Sequence, residues 1–128
     1  MATITNLNET VLTQTADNLV LAGELPLLHK ELTITNPQSV AVTRGMAVIN
    51  SSGTLYVAGA KSGSTTISGD IVGIVAEDMA IDGTSATLTV DCYVFGAFNA
   101  AEVTSINSLD ISTAAYVLGA QGNGIYLA

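Results

Sequence analysis

Apolar and polar residues alternate most regularly within residues 84–98, "TSATLTVDCYVFGAF". Four apolar residues share one face of an extended chain and three polar residues share the other: Ala86, Leu88, Val90 and Cys92 against Thr87, Thr89 and Asp91. A period of two predicts a strand with one face in a core. The alternation then fades through Tyr93, Val94 and Phe95, as expected where a strand is covered on both sides or contains a bulge.

Shorter apolar runs separated by turn residues predict further strands. These runs are residues 31–35, residues 40–50 with a break at Gly45, residues 70–76 and the closing "GIYLA". The residues from Asn50 to Gly53, between "MAVI" and "TLYVA", predict a hairpin turn. Residues 59–69 are rich in Gly, Ser and Thr, which predicts a flexible surface loop. Gly73, inside an apolar strand, indicates close approach of another backbone or a ring.

Helix is a minor component of the predicted fold. "NAAEV" predicts a single helical turn with Asn99 as N-cap, and residues 108–118 predict a short helix capped by Ser112. The short, regularly spaced strands are typical of a small barrel or sandwich. We therefore expect a mainly β protein, with a small barrel-like or sandwich-like domain, one or two short helices and an extended N-terminal arm.

The first residues, 1–17, form the predicted arm. They are rich in Thr and Asn, with weak alternation and no turn residues. Such a segment is typical of an extended arm or of an edge strand that needs a partner. An ordinary first strand of the same sheet explains the pattern equally well. We assign residues 1–17 to the arm and residues 18–128 to a single β-rich domain, the number of domains that a 128-residue chain predicts.

Charge narrows the classes of partner. The formal net charge is −8, and the cations are Lys30, Arg44 and Lys61, spread along the chain. Nucleic acids and anionic membranes are bound through clustered Lys and Arg, so we expect neither as a partner. The sequence does not begin with the basic segment and apolar segment of a Sec-type signal peptide. We therefore expect synthesis in the cytoplasm without such a signal.

Residues with potential chemistry are few. The stretch "GDIVGIVAEDMAID" carries Asp70, Glu77, Asp78 and Asp82, whose spacing does not match a calcium loop and fits strand ends in solvent. His29 is the single histidine, and Cys92 lies on the apolar face of its strand, where it would be an inert core thiol. We therefore predict no enzyme activity, no catalytic residue, no cofactor and no metal.

The order of the predicted elements resembles the lambda-type decoration proteins of phage capsids, also called head-stabilising or cement proteins. The similarity lies in "GMAVI" with its hairpin, in "GIVA" at residues 73–76, and in a "T…V…G-x-F" strand formed by Thr87, Val90, Gly96 and Phe98. It covers roughly residues 45–103. The chain departs from that family in residues 18–44, a long region with no clear counterpart in the shorter members.

The resemblance implies a structural virion protein on the outside of a phage head, made in the host cytoplasm. Its partners would be the major capsid protein and further copies of itself, as a homotrimer, and its N-terminal arm would become ordered on the capsid. The residues implied to bind the partner are Thr3, Ile4, Thr5, Asn6, Leu7, Val11 and Leu12. The alternatives are another virion structural or adhesion module, such as a fibre or tail domain, and a small hydrolase using His29.

Overall fold

A computed structural model describes residues 19–21, 26–35, 41–78 and 87–128. Within them lie eight strands, a 3-10 turn and one α-helix. In chain order these are β1 (Leu28–Thr35), β2 (Ala47–Ser51), β3 (Thr54–Val57), β4 (Lys61–Ser62), β5 (Thr65–Thr66), β6 (Asp70–Val75), β7 (Thr87–Phe98), the 3-10 turn (Ala100–Glu102), α1 (Ala114–Gly122) and β8 (Ile125–Leu127). The prediction of a mainly β protein is confirmed.

Five of the strands form a closed barrel. They follow the order β1, β3, β2, β6 and β7, and β7 pairs back onto β1. The β1–β3 pairing is parallel and the other four are antiparallel. Strand β8 adds in parallel to the end of β7, outside the ring. Closure leaves the ring itself without an unpaired edge strand.

Two apolar clusters stabilise the barrel. Each of its five strands contributes to the cluster inside, which includes Ile34, Val48, Val57, Val75 and Val90. The second cluster lies against the outer face of β2 and β6 and is covered by α1 and β8; it includes Ala47, Ile49, Ile71, Ile74, Phe98, Ala120 and Ile125. Because β2 and β6 are covered on both faces, "AVI" and "DIVGIV" read as continuous apolar runs.

The hairpin between β2 and β3 forms as predicted. Ser52 and Gly53 have φ values of 53° and 92°, and two positive φ values in succession are characteristic of a type I′ turn. The backbone N–H of Gly53 also donates to Oδ1 of Asn50 at 2.8 Å. This turn fixes the register of the hairpin, with Ser51 opposite Thr54.

The predicted loop at residues 59–69 is wrong in part. Strands β4 and β5 pair there as a second small hairpin, whose exposed turn contains Gly63. The start of the segment is packed rather than flexible: Gly59 is buried, and a Cβ added to it would lie 1.9 Å from the backbone O of Ile106. The composition therefore identified an exposed turn, but the start of the segment, Gly59 and Ala60, belongs to the core.

The predicted helix 108–118 is also corrected. Helix α1 begins at Ala114 with Thr113 as N-cap and continues to Gly122. Ser112 does not cap it, because its hydroxyl and backbone N–H both donate to Oδ1 of Asp110, at 2.6 and 2.9 Å. Asp110 thus forms a local turn that competes with helix initiation. In contrast, Asn99 caps the 3-10 turn as predicted, accepting from the backbone N of Ala101 at 3.1 Å.

Candidate functional site

The acidic residues around β6 lie at the ends of that strand. Asp70 is its first residue, Glu77 and Asp78 follow its end, and all three are exposed. Oδ1 of Asp78 accepts a hydrogen bond from the backbone N–H of Arg44 at 2.7 Å. The prediction of strand ends in solvent is confirmed for these three, while Asp82 lies outside the described residues. Within the ranges described, no group of three or more His, Cys, Asp and Glu side chains is placed to hold a metal ion.

Arg44 joins the end of β6 to β7. Its Nη1 donates to the backbone O of Ala76 at 2.8 Å and to the hydroxyl of Tyr93 at 2.7 Å. Its guanidinium also lies 5.4 Å from the centre of the Tyr93 ring, within the range of a cation–π contact. This contact could not be predicted from the sequence, because residues 44, 76 and 93 show no shared pattern. Its role is to fix the barrel wall.

His29 has a carboxylate beside it. Its Nδ1 lies 3.0 Å from Oδ1 of Asp91, and the His29 side chain is 60% exposed. A hydrolytic triad consists of a carboxylate, an imidazole that the carboxylate orients, and a nucleophile. His29 and Asp91 would supply the first two, so a nucleophile would be needed beside them. Cys92 follows Asp91 directly, but successive residues of a strand point to opposite faces, so its thiol is directed away from this pair.

Cys92 is a core thiol, as predicted. It is fully buried inside the barrel, and its Sγ lies 3.8 Å from the backbone O of Val90. Burial, together with the charges of Asp91 and Glu77, raises the pKa of Cys92 to about 12. Because the thiolate is the nucleophilic form, a thiol with this pKa is unreactive near neutral pH.

An exposed apolar surface lies where β1, β7 and β8 meet. We call it the Phe95 patch and define it as Leu27, Leu28, Phe95 and Tyr126. Leu28 is opposite Phe95 in the β1–β7 register, and the rings of Phe95 and Tyr126 lie 6.2 Å apart in an edge-to-face arrangement. Leu27, Leu28 and Tyr126 are three of the four large apolar side chains that are exposed in the described part of the chain.

The N-terminal segment joins β7 beside this patch. Val20 forms an antiparallel bridge with Phe98, while Leu21 donates to the backbone O of Ala97 and Asn99 donates to that of Leu19. Leu19 is buried in the outer apolar cluster. The seven residues predicted to bind the partner, Thr3 to Leu7 with Val11 and Leu12, lie outside the described residues, as does the predicted arm.

The Phe95 patch was missed by the sequence analysis. One signal could have identified it: Leu27 and Leu28 are two large apolar residues in succession directly after Pro26, a residue that is confined to loops and strand edges. Leu28 is 54% exposed, and Leu27 is exposed as well, over Gly96.

No family model matches this sequence, and a search of curated proteins returns no match. No helix in the described ranges has the length and apolarity needed to cross a membrane.

Proposed function

We propose that this protein is a capsid decoration protein, which binds the outside of a phage head and stabilises the lattice of capsid subunits. It acts mechanically and not as an enzyme: area buried against neighbouring subunits opposes their separation. Many copies on one head make a modest affinity for each copy sufficient. Its partners are the major capsid protein and other copies of this chain, in a homotrimer.

The resemblance to decoration proteins is supported by how its parts fit together. "GMAVI", "GIVA" and the "T…V…G-x-F" strand contribute to β2, β6 and β7, which are consecutive neighbours in the barrel. Two glycines of the pattern have steric reasons: a Cβ on Gly73 would lie 3.1 Å from the backbone O of Tyr93, and one on Gly96 would lie 2.9 Å from Cδ1 of Leu27. The residues that carry the resemblance therefore lie in neighbouring strands, and this arrangement supports the proposal.

The observation that carries the function is the position of the Phe95 patch. Along β7, Leu28 lies at Phe95, Leu27 lies over Gly96, and residues 19–21 pair with residues 97–99. Residues 19–21 therefore lie along the same end of β7 as these exposed apolar side chains, with Leu21 nearer to Phe95 and Leu19 farther from it. A partner that covers this end of the barrel and receives the residues before Leu19 as an added strand would combine main-chain hydrogen bonds with apolar burial.

The test is sedimentation of the purified protein with undecorated heads, assembled from the major capsid protein of the same genome. We expect the wild-type chain to sediment with them and Leu28→Asp to bind roughly tenfold more weakly or worse, since an exposed leucine buried on binding contributes 1.5–3 kcal/mol, as a rough range. Thr66→Asp adds the same charge on the exposed β4–β5 hairpin and should bind normally.

Two results would count against the proposal. Wild-type protein that stays in the supernatant would exclude head decoration and favour a fibre, tail or adhesion module. Equal binding by Leu28→Asp and wild type would exclude the Phe95 patch as part of the contact.

A further inference from the structure

A depression lies between the start of β6 and the first turns of α1. It has a volume of about 390 Å³, at the small end of the range of roughly 300–1,000 Å³ that is typical of ligand pockets. We call it the Asp70 pocket; its lining is Ser68, Gly69, Asp70, Ala115 and Tyr116. Asp70 contributes the single charged side chain of this lining, and Tyr116 contributes the single aromatic ring.

Two glycines give the pocket its shape. Gly119 of α1 leaves room for the Asp70 carboxylate, because a Cβ at this position would lie 2.5 Å from Oδ1 of Asp70. Tyr116 precedes Gly119 by three residues, so the tyrosine and the carboxylate lie against the same face of the helix. Gly69 lies so close to the backbone of Asn50 in β2 that a side chain would collide with it. The fold therefore keeps a space open beside a carboxylate and a ring.

The carboxylate of Asp70 is not engaged by the protein itself. Its oxygens accept no hydrogen bond and form no salt bridge with any residue that the structure describes. The three cations of the chain, Lys30, Arg44 and Lys61, are all among those residues. Asp78, beyond the other end of β6, differs in this respect, because its Oδ1 accepts from the backbone N–H of Arg44 at 2.7 Å. An unpaired carboxylate in a pocket favours a positively charged ligand.

The shape of the pocket favours an arginine side chain among such ligands. A guanidinium group is planar, so it can stack on a tyrosine ring while it donates two hydrogen bonds to one carboxylate. An ammonium group has no such plane, and a neutral sugar gains nothing from the charge of Asp70. The formal net charge of −8 also attracts basic surfaces over a longer range, which favours a partner that offers arginine.

The Asp70 pocket lies toward the same end of the barrel as the Phe95 patch. Ile74 of β6 pairs with Tyr93 of β7, and the two strands are antiparallel. Residues before Ile74 therefore lie at the level of residues after Tyr93, which places Asp70 toward the end of the barrel that carries Phe95. A partner that covers this end meets both an apolar surface and an acidic pocket.

We propose that the Asp70 pocket binds an arginine side chain of the capsid subunit, with the guanidinium group between the Asp70 carboxylate and the Tyr116 ring. The inference deepens the proposed function, on which it rests for the identity of the partner. The preference of the pocket for a guanidinium group is measured without capsids, so the two can fail separately.

An NMR titration of the full chain with N-acetyl-arginine methylamide tests the pocket directly. We expect the amide signals of its lining residues to shift, with a dissociation constant of roughly 10–100 mM for one ion pair and one ring contact. The matching derivative of citrulline, which has nearly the same shape and no charge, should cause no saturable shift. Asp70→Asn should abolish the response to arginine. Glu77→Gln, an equal change of charge at an exposed residue beyond the other end of β6, should preserve it.

A change at Tyr116 separates the two parts of its side chain. Tyr116→Phe keeps the ring and removes the hydroxyl group, so we expect this variant to bind the arginine derivative as wild type does. Loss of the response in a folded Tyr116→Phe protein would show that the pocket works through the hydroxyl group, as a sugar site would, and would overturn the stacked guanidinium.

Sedimentation with undecorated heads tests the partner. If an arginine of the capsid occupies the pocket, Asp70→Asn should bind heads about tenfold more weakly than wild type, since a hydrogen bond between charged groups is lost. Glu77→Gln should bind as wild type does. The difference between the two variants should shrink as the salt concentration is raised, because salt screens the charge of Asp70.

Each outcome decides one part of the inference. Equal responses to arginine and citrulline, no response to either, or an arginine response that survives Asp70→Asn would overturn the guanidinium site, and the decoration function would still stand if wild type binds heads. A specific arginine response together with normal head binding by Asp70→Asn would overturn the capsid as the source of the arginine. If the arginine response is as expected but wild type leaves heads unbound, the guanidinium site holds and the decoration function fails.

Discussion

The two halves of β7 differ in how the rest of the molecule uses them. From Thr87 to Cys92, each residue is opposite one residue of β1, in an unbroken antiparallel register. After Tyr93 the register shifts, because His29 still pairs with Tyr93 while Leu28 pairs with Phe95. At its end β7 no longer pairs with β1 and β6. It pairs instead with residues 19–21 on one side and with β8 on the other.

This difference explains why one half is regular in sequence and the other is not. The first half has one face toward solvent and one face toward the barrel interior, so polar and apolar residues alternate along it. The second half contacts several elements at once, so no single face repeats, and its irregularities sit beside the Phe95 patch. Exposed apolar side chains occur where the barrel wall is joined by segments that come from outside the ring.

The largest expected effect on stability comes from a substitution at Gly96, in the second half of β7. Its φ of 148° is unfavourable for residues with a side chain, and an added Cβ would lie 2.9 Å from Leu27 and 3.3 Å from Phe98. We expect Gly96→Val to lower the free energy of unfolding by about 3 kcal/mol, from backbone strain and overpacking. Urea denaturation with the unfolding followed by circular dichroism measures this value.

A matched change in the first half gives the control. Thr89 is exposed and its hydroxyl lies 3.1 Å from that of Thr33, so Thr89→Val should change stability by less than about 0.5 kcal/mol. Equal effects of the two valines would show that the halves do not differ in packing.

A smaller effect is expected from Cys92, at the inner face of the first half. Its pKa is about 12 when folded and 9.0 ordinarily, so the folded state disfavours the thiolate. Its contribution to stability is complete below pH 9 and is lost as the pH rises toward 12. At pH 10 the loss is about 1.4 kcal/mol relative to neutral pH.

Denaturation of wild type and Cys92→Ala at pH 7 and pH 10 isolates this contribution, since the other alkaline groups are common to both. The difference between the two proteins should shift by that amount in favour of the alanine variant. A pH-independent difference, or rapid labelling of the native thiol by a thiol reagent, would place Cys92 outside the closed interior.

The smallest effect is expected away from both halves, at the turn of the β4–β5 hairpin. Ser64 is exposed in that turn, and extending a loop costs about 0.6 kcal/mol for each doubling of its length. A short tag inserted after Ser64 should therefore leave folding and head binding intact. Loss of soluble protein would show that the hairpin is packed against the barrel together with Gly59.

The elements that could be predicted were those governed by local pattern. The Ser52–Gly53 turn, the alternation of β7 and the Asn99 cap each depend on residues within one short stretch. The start of α1 could not be predicted, since Ser112 and Thr113 are both acceptable caps and the carboxylate of Asp110 decides between them.

The surfaces were harder to predict than the strands. The Phe95 patch joins residues of three strands that come together only when the barrel closes. A groove between α1 and β8 likewise needs Val103 and Leu127 to meet, and neither residue is unusual in its own stretch of sequence. The exposed Leu118 could not be distinguished from a core leucine, because its neighbours in α1 are also apolar.

The most direct test of the decoration function is removal of residues 2–15, followed by a melting curve and sedimentation with undecorated heads. Leu19 is already part of the core, so we expect the shortened chain to remain folded, with a melting temperature near that of wild type. It should no longer sediment with the heads, because it lacks the residues that we propose the capsid receives as an added strand. A shortened chain that still binds heads as wild type does would contradict this account.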